Sequence, residues 1–145
     1  MIIYTLRKIM GDRIRVFIKI HRIGRSFDAF SCIILGSNGK SAVMSTKGLS
    51  ESCISRHRIV LEAIRYFLED IDGPYSDSGF RLVFYADNDE IAYEWTNEYL
   101  KEGVFADSTE DQDLYYAIIR LLDRKRLSME VIGKDNILSL ISKVI

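Results

Sequence analysis

The sequence predicts an α/β domain: a mixed five-stranded sheet, in the order βββαβααβα, with helices on its faces. Three observations carry that reading. Runs of alternating or continuous branched apolar residues mark five strands. Apolar residues recurring every three to four positions mark the helices between them. Three consecutive strands followed by strands separated by helices require a sheet that is antiparallel in part and parallel in part.

Each element has its own signal. Ile14-Arg15-Val16-Phe17-Ile18-Lys19-Ile20 alternates branched apolar with mostly basic residues, the period of a strand. A turn around Gly24 leads to a second strand over Phe27–Leu35, and Gly36-Ser37-Asn38-Gly39 reads as a hairpin turn, since Asn-Gly tolerates positive φ. Ser41–Ser45 is the third strand. Ser50-Glu51-Ser52-Cys53-Ile54-Ser55 offers serine caps for a helix running to about Ile71. Its apolar stripe is Ile59, Val60, Ala63, Ile64, Phe67 and Leu68, opposed by Arg58, Glu62, Arg65 and Glu69. A loop through Gly73-Pro74 and Ser76-Asp77-Ser78-Gly79 precedes Arg81–Ala86, apolar after its first residue as a buried strand should be. Helices follow over Glu90–Glu102 and Asp111–Arg126, then a strand over Leu127–Ile132 and a terminal helix or helical turn over Asn136–Ile145.

The 145 residues fit one domain, 1–145, with 1–12 as an N-terminal extension, and 48% hydrophobic content suffices for a core without disulfides or a structural metal. No apolar run is long enough for a membrane span, and the opening residues lack the charge order of a signal peptide. Two cysteines, Cys32 and Cys53, fit a reduced, cytoplasmic setting, with packing expected for both. With His21 and His57 the only histidines, zinc-site spacings have no material. No CxxC, HExxH, P-loop, GxSxG or GxGxxG pattern occurs.

Twenty Lys and Arg balance 21 Asp and Glu, yet the charges are segregated. Residues 1–30 hold seven bases (Arg7, Lys8, Arg13, Arg15, Lys19, Arg22, Arg25) against Asp12 and Asp28. Residues 69–113 hold fourteen acids against Arg81 and Lys101. Such separation marks either a partner face or segments that neutralise one another.

The element order, with these lengths, resembles the ribonuclease H type-1 fold. Phe84-Tyr85-Ala86-Asp87-Asn88-Asp89 looks like that family's strand-four IYTDS motif. Asp111-Gln112-Asp113-Leu114-Tyr115-Tyr116 looks like its NRDLW helix start, and Val131-Ile132-Gly133-Lys134 like its VKGH strand end. Ala63-Ile64 matches its AAIEAL stretch, and the likeness covers roughly residues 13–145. The resemblance implies hydrolysis of the RNA strand of RNA–DNA hybrids by two Mg²⁺ ions about 4 Å apart, held by carboxylates from separate elements.

Measured against that implied ligand set, the sequence is a degenerate member. Asp87 alone stands at a family ligand position. The opening strand offers Lys19 and His21 instead of an acid, and the family's first-helix Glu aligns with Ile59. Glu62, the nearest acid, shares a solvent face with Arg58 and Arg65. The terminal helix has no acid, and Lys134 replaces the family histidine. Asp87, Asn88 and Asp89 equally suit the N-cap of the second helix. Trp95 and Tyr99, one turn apart, suit packing better than base stacking.

Three functions compete. The first is a non-catalytic RNase H-like binding or scaffold domain, contacting RNA or an RNA–DNA hybrid through Arg13, Arg15, Lys19, His21, Arg22, Arg25 and Lys134 with no metal or other cofactor. The second is a protein-interaction or homo-oligomeric module in which the acidic block meets the basic strand. The third is a Mg²⁺-dependent nuclease using Asp87 with displaced ligands from Asp28, Glu62 or Asp111.

Overall fold

A computed structural model describes residues 13–35, 41–53, 55–70 and 81–133. The expected extension 1–12, hairpin turn at 36–39, loop at 73–79, terminal helix at 136–145 and Lys134 lie outside the described residues. The sheet comprises β1 (Arg13–Ile23), β2 (Ser26–Leu35), β3 (Ser41–Cys53), β4 (Arg81–Tyr85) and β5 (Ser128–Ile132), in the spatial order β3-β2-β1-β4-β5. The β1–β2 and β2–β3 pairs are antiparallel, whereas β1–β4 and β4–β5 are parallel. Helices α1 (Arg56–Asp70) and α3 (Gln112–Lys125) supply the parallel crossovers, together with α2 (Asp89–Tyr93), which continues as a π-helical segment over Glu94–Leu100.

Alternation along β1 decides which face is buried. Ile14, Val16 and Ile18 point into the core, and in register beside them lie Ile34, Cys32, Leu82 and Phe84. Met129 and Val131 extend these rows onto β5. The stripe of α1 closes over them, with Leu114, Tyr115, Ile118, Leu121 and Leu122 of α3. Cys32 donates to the carbonyl of Ala63 at 3.7 Å, and burial pushes its thiol up to about 12, so it is an inert core residue. The last turn of α1 leaves carbonyls without helical partners. Lys125, buried on α3, donates to two of them, Leu68 O at 2.6 Å and Glu69 O at 3.1 Å.

The structure sharpens the sequence reading in its local detail. β3 runs through Ser50 and Ser52 to Cys53, so the cap of α1 is Ser55, whose Oγ accepts from the Arg58 backbone N–H at 3.1 Å. Asn88 caps α2, accepting from the Ile91 N–H at 3.0 Å; Asp87, expected to share that role, sits one residue earlier with φ +51°. The helix expected over Glu90–Glu102 is present from Asp89, with its middle, Glu94–Leu100, wound as a π-helix. Trp95 and Tyr99 do pack, stacked 4.9 Å apart, and the Trp95 indole N–H donates to Met129 O at 3.1 Å.

Candidate nucleic-acid interface

The ends of three elements meet beside β1. β4 stops opposite Phe17, the last pair of the parallel ladder being Phe17↔Tyr85, while β1 continues to Ile23. Residues 18–23 of β1 therefore have β2 on one side and no β4 residue on the other. Two positions past the last pair stand Lys19 on β1 and Asp87 after β4. The first residue of α1, Arg56, reaches across to Asp87, its Nη2 donating to Oδ2 at 3.2 Å and to the carbonyl O at 3.3 Å. About half of each side chain remains exposed, so this ion pair is screened by solvent.

These groups line an open cleft of about 590 Å³. Its polar lining is Lys19, Arg22, Arg56 and Asp87; its apolar lining includes Phe17, Ile20, Phe27 and Ile33. The Arg22 guanidinium lies over the Phe27 ring at 5.6 Å. Among the described residues, three cations thus share the cleft with one carboxylate, which Arg56 already engages. That balance attracts anions.

Of the residues expected to contact nucleic acid, Lys19 and Arg22 line the cleft. Arg15 is exposed on β1, and Arg25 lies exposed beside Gly24, whose φ of +60° makes the β1–β2 turn. His21 hydrogen-bonds Ser31 across the sheet at 2.8 Å. Arg13 opens β1 opposite Arg81. Arg56 was missed; its signal was its place in the first turn of a helix whose start meets the β4 end, a juxtaposition only the fold reveals.

The carboxylates considered as displaced ligands do not gather around Asp87. Glu62 accepts from Arg65 at 2.6 Å on the flank of α1. Asp28 sits on β2 at an irregularity between Phe27 and Ala29. Asp111 belongs to another cluster altogether. Ile59, which the resemblance sets against a glutamate, is fully buried in the core.

That other cluster lies under α1 and was also missed. His57, 6% exposed, bridges two carboxylates: its Nε2 meets Glu94 Oε1 at 2.6 Å and its Nδ1 meets Asp111 Oδ2 at 2.8 Å. The Tyr115 hydroxyl donates to the same Glu94 oxygen at 2.6 Å, and Arg58 Nη1 donates to Asp111 Oδ1 at 3.0 Å. Burial opposes a charge on His57, but its hydrogen bonds to Glu94 and Asp111, with the fields of Glu94 and Glu90, hold its pKa above the ordinary 6.5. Burial and the bond to Glu94 raise the Tyr115 hydroxyl as well. Glu90 with Glu94, and Glu110 with Asp111, approach His57 closely enough to share an ion, yet both ring nitrogens are already engaged within the protein.

No protein-family model matches the sequence, and no curated protein matches it. Solved structures are similar in shape. The foamy viral protease–reverse transcriptase in complex with an RNA/DNA hybrid covers 83% of this chain at 10% identity with a TM-score of 0.52, and this chain spans 17% of its length. The PFV RNase H domain covers 83% of this chain and 77% of its own at 10% identity (TM-score 0.47). A type 1 RNase H with the type 2 active-site motif covers 84% and 63% at 13% identity (TM-score 0.45). With its 3-2-1-4-5 sheet, parallel β1–β4–β5 half and covering helices, the chain has an RNase H-like α/β fold.

Proposed function

We propose that this domain binds nucleic acid through the cleft between β1 and the start of α1, using cations where a nuclease of this fold would place metal ions. The observation that carries this reading is the set Lys19, Arg22 and Arg56 around an Asp87 that Arg56 already engages. One carboxylate beside three cations, the set that the described residues offer, is a poor seat for Mg²⁺, which needs several anionic oxygens. Phosphates can dock on the same cations directly and release counterions as they do so. Segregated charge supports the reading further, because the acidic residues of 89–113 lie on other elements.

Fluorescence anisotropy with a labelled RNA–DNA hybrid in EDTA tests the proposal. Binding is expected without divalent ions, with log K falling against log salt at a slope of about −2 to −3 for three phosphate contacts. Lys19→Glu combined with Arg22→Glu should abolish it. Absence of binding at low salt overturns the proposal, as does hybrid cleavage in Mg²⁺ or Mn²⁺ that disappears in Asp87→Asn, which would establish the nuclease instead.

A second reading, a protein-docking role, is favoured by one observation. Tyr93, Leu100, Val104 and Tyr116 are large apolar residues left exposed around the π-helical segment and α3. Sedimentation over a range of concentrations tests its self-associating form, which a monomer throughout would remove.

A further inference from the structure

The cleft has more to offer than cations, and its remaining features point to what it holds. A duplex keeps its bases stacked inside and presents phosphates outward, so it would use only the charged rim. The apolar lining lies on both sides of the β1 edge: Phe17 and its register partner Ile33, both half-buried, are on the sheet face turned away from the core, and Ile20 and Phe27, the latter beneath Arg22, are on the core side. At about 590 Å³ the cleft falls inside the range of about 300–1,000 Å³ typical of sites for small organic groups. Its wall is the stretch of β1 beyond the end of β4, which includes the cleft-lining residues Ile18, Lys19, Ile20 and Arg22. A strand edge offers alternating N–H donors and C=O acceptors. A phosphate oxygen can only accept; a nucleobase edge both donates and accepts.

We propose that the cleft takes an unpaired nucleobase, so that the domain selects single-stranded nucleic acid or a single-stranded overhang over a blunt duplex. This rests on the reading of the cleft as a phosphate-binding site and specifies its substrate class. Lys19, Arg22 and Arg56 hold the phosphates flanking the base, the edge of β1 meets its polar atoms, and Phe17 with Ile33 receives its face. Contact between a base and an aromatic ring tolerates any base. Selection is therefore by strandedness, not by sequence.

The test compares a short blunt RNA–DNA hybrid, the same hybrid with a single-stranded overhang, and the free RNA and DNA strands, by anisotropy at one low salt concentration. The overhang and the free strands are expected to bind at least about tenfold tighter than the blunt hybrid. Phe17→Leu keeps apolar volume but removes the ring, and should bring the overhang-to-blunt ratio toward one. Since Phe17 also stacks on Tyr85 at 4.4 Å, a second measurement uses the unaltered protein. A 2-aminopurine placed in the overhang should change its emission on binding, and one in the duplex should not. Equal affinity for blunt and overhanging hybrids, or an overhang fluorophore that does not respond, overturns this inference while leaving phosphate binding intact. Failure of every probe to bind at low salt overturns the phosphate-binding reading itself.

Discussion

Arg56 and His57 are neighbours in sequence, but they serve charge clusters of opposite character. Arg56 reaches outward to Asp87, and both side chains stay about half exposed. His57 turns inward between Glu94 and Asp111, with 6% of its side chain exposed and 7% of Glu94. The outer pair is surrounded by water, so it contributes little to folding and remains available to a ligand. The inner network is largely buried, and both His57 nitrogens, Glu94 Oε1 and both Asp111 oxygens are hydrogen-bonded, so it fixes where α1, the π-helical segment and α3 meet. One helical turn therefore holds both an adaptable charge and a fixed one. What separates them is solvent, not residue type.

The contrast can be broken most severely from inside. Glu94→Ala removes the acceptor shared by His57 and Tyr115 and leaves both buried without it. We expect a loss of about 3–5 kcal/mol in urea unfolding, the usual cost of breaking a buried ion pair from one side. A loss below about 1 kcal/mol would mean that water reaches the site.

A gentler perturbation is protonation. The folded pKa of His57 lies above the ordinary value of 6.5, so the folded state binds the proton more tightly than the unfolded chain. Its contribution is present in full below about pH 6.5 and is lost as pH rises through the raised folded pKa. Stability measured by chemical denaturation should therefore decline across that window, and His57→Gln should flatten the decline. An unchanged pH profile in His57→Gln would locate the titration elsewhere.

Smallest of all should be the effect of Arg56→Ala on folding, within about 0.2–1 kcal/mol for an exposed pair. Its effect on the cleft should be larger. Asp87 loses its partner and one of three cations disappears, so nucleic-acid affinity should fall and the salt slope become shallower by about one contact. Anisotropy and thermal melting of the same variant, taken together, separate the two roles.

Much of the fold was legible because its signals are local. The alternation in Ile14–Ile20 set the buried face of β1, and the stripe from Ile59 to Leu68 set that of α1. Local chemistry does not choose among Ser50, Ser52 and Ser55 as the cap of α1, and only the pairing with β2 that extends β3 to Cys53 singles out Ser55. The π-helical segment has no distinctive apolar period. In the cleft, Lys19 and Arg22 stood out as bases on a strand, whereas Arg56 matters only because the fold delivers Asp87 to it. The His57 network was invisible for the same reason, since Glu94 and Asp111 lie 37 and 54 residues further along the chain.

The sheet order also bears on how the domain assembles. β1 ends up between β2 and β4, but β4 begins only at Arg81, after α1 has been made. Until then the three-stranded meander presents β1 as an unpaired edge, open to another chain. Charges along such an edge discourage intermolecular pairing, and β1 carries Arg15 and Lys19 there. Pulse-labelled hydrogen exchange during refolding should show the β1–β2 amides protected before those joining β1 to β4. Simultaneous protection would mean that the meander has no independent existence. With the β1–β2 amides protected first, the basic strand guards the folding chain against its neighbours before it meets any ligand.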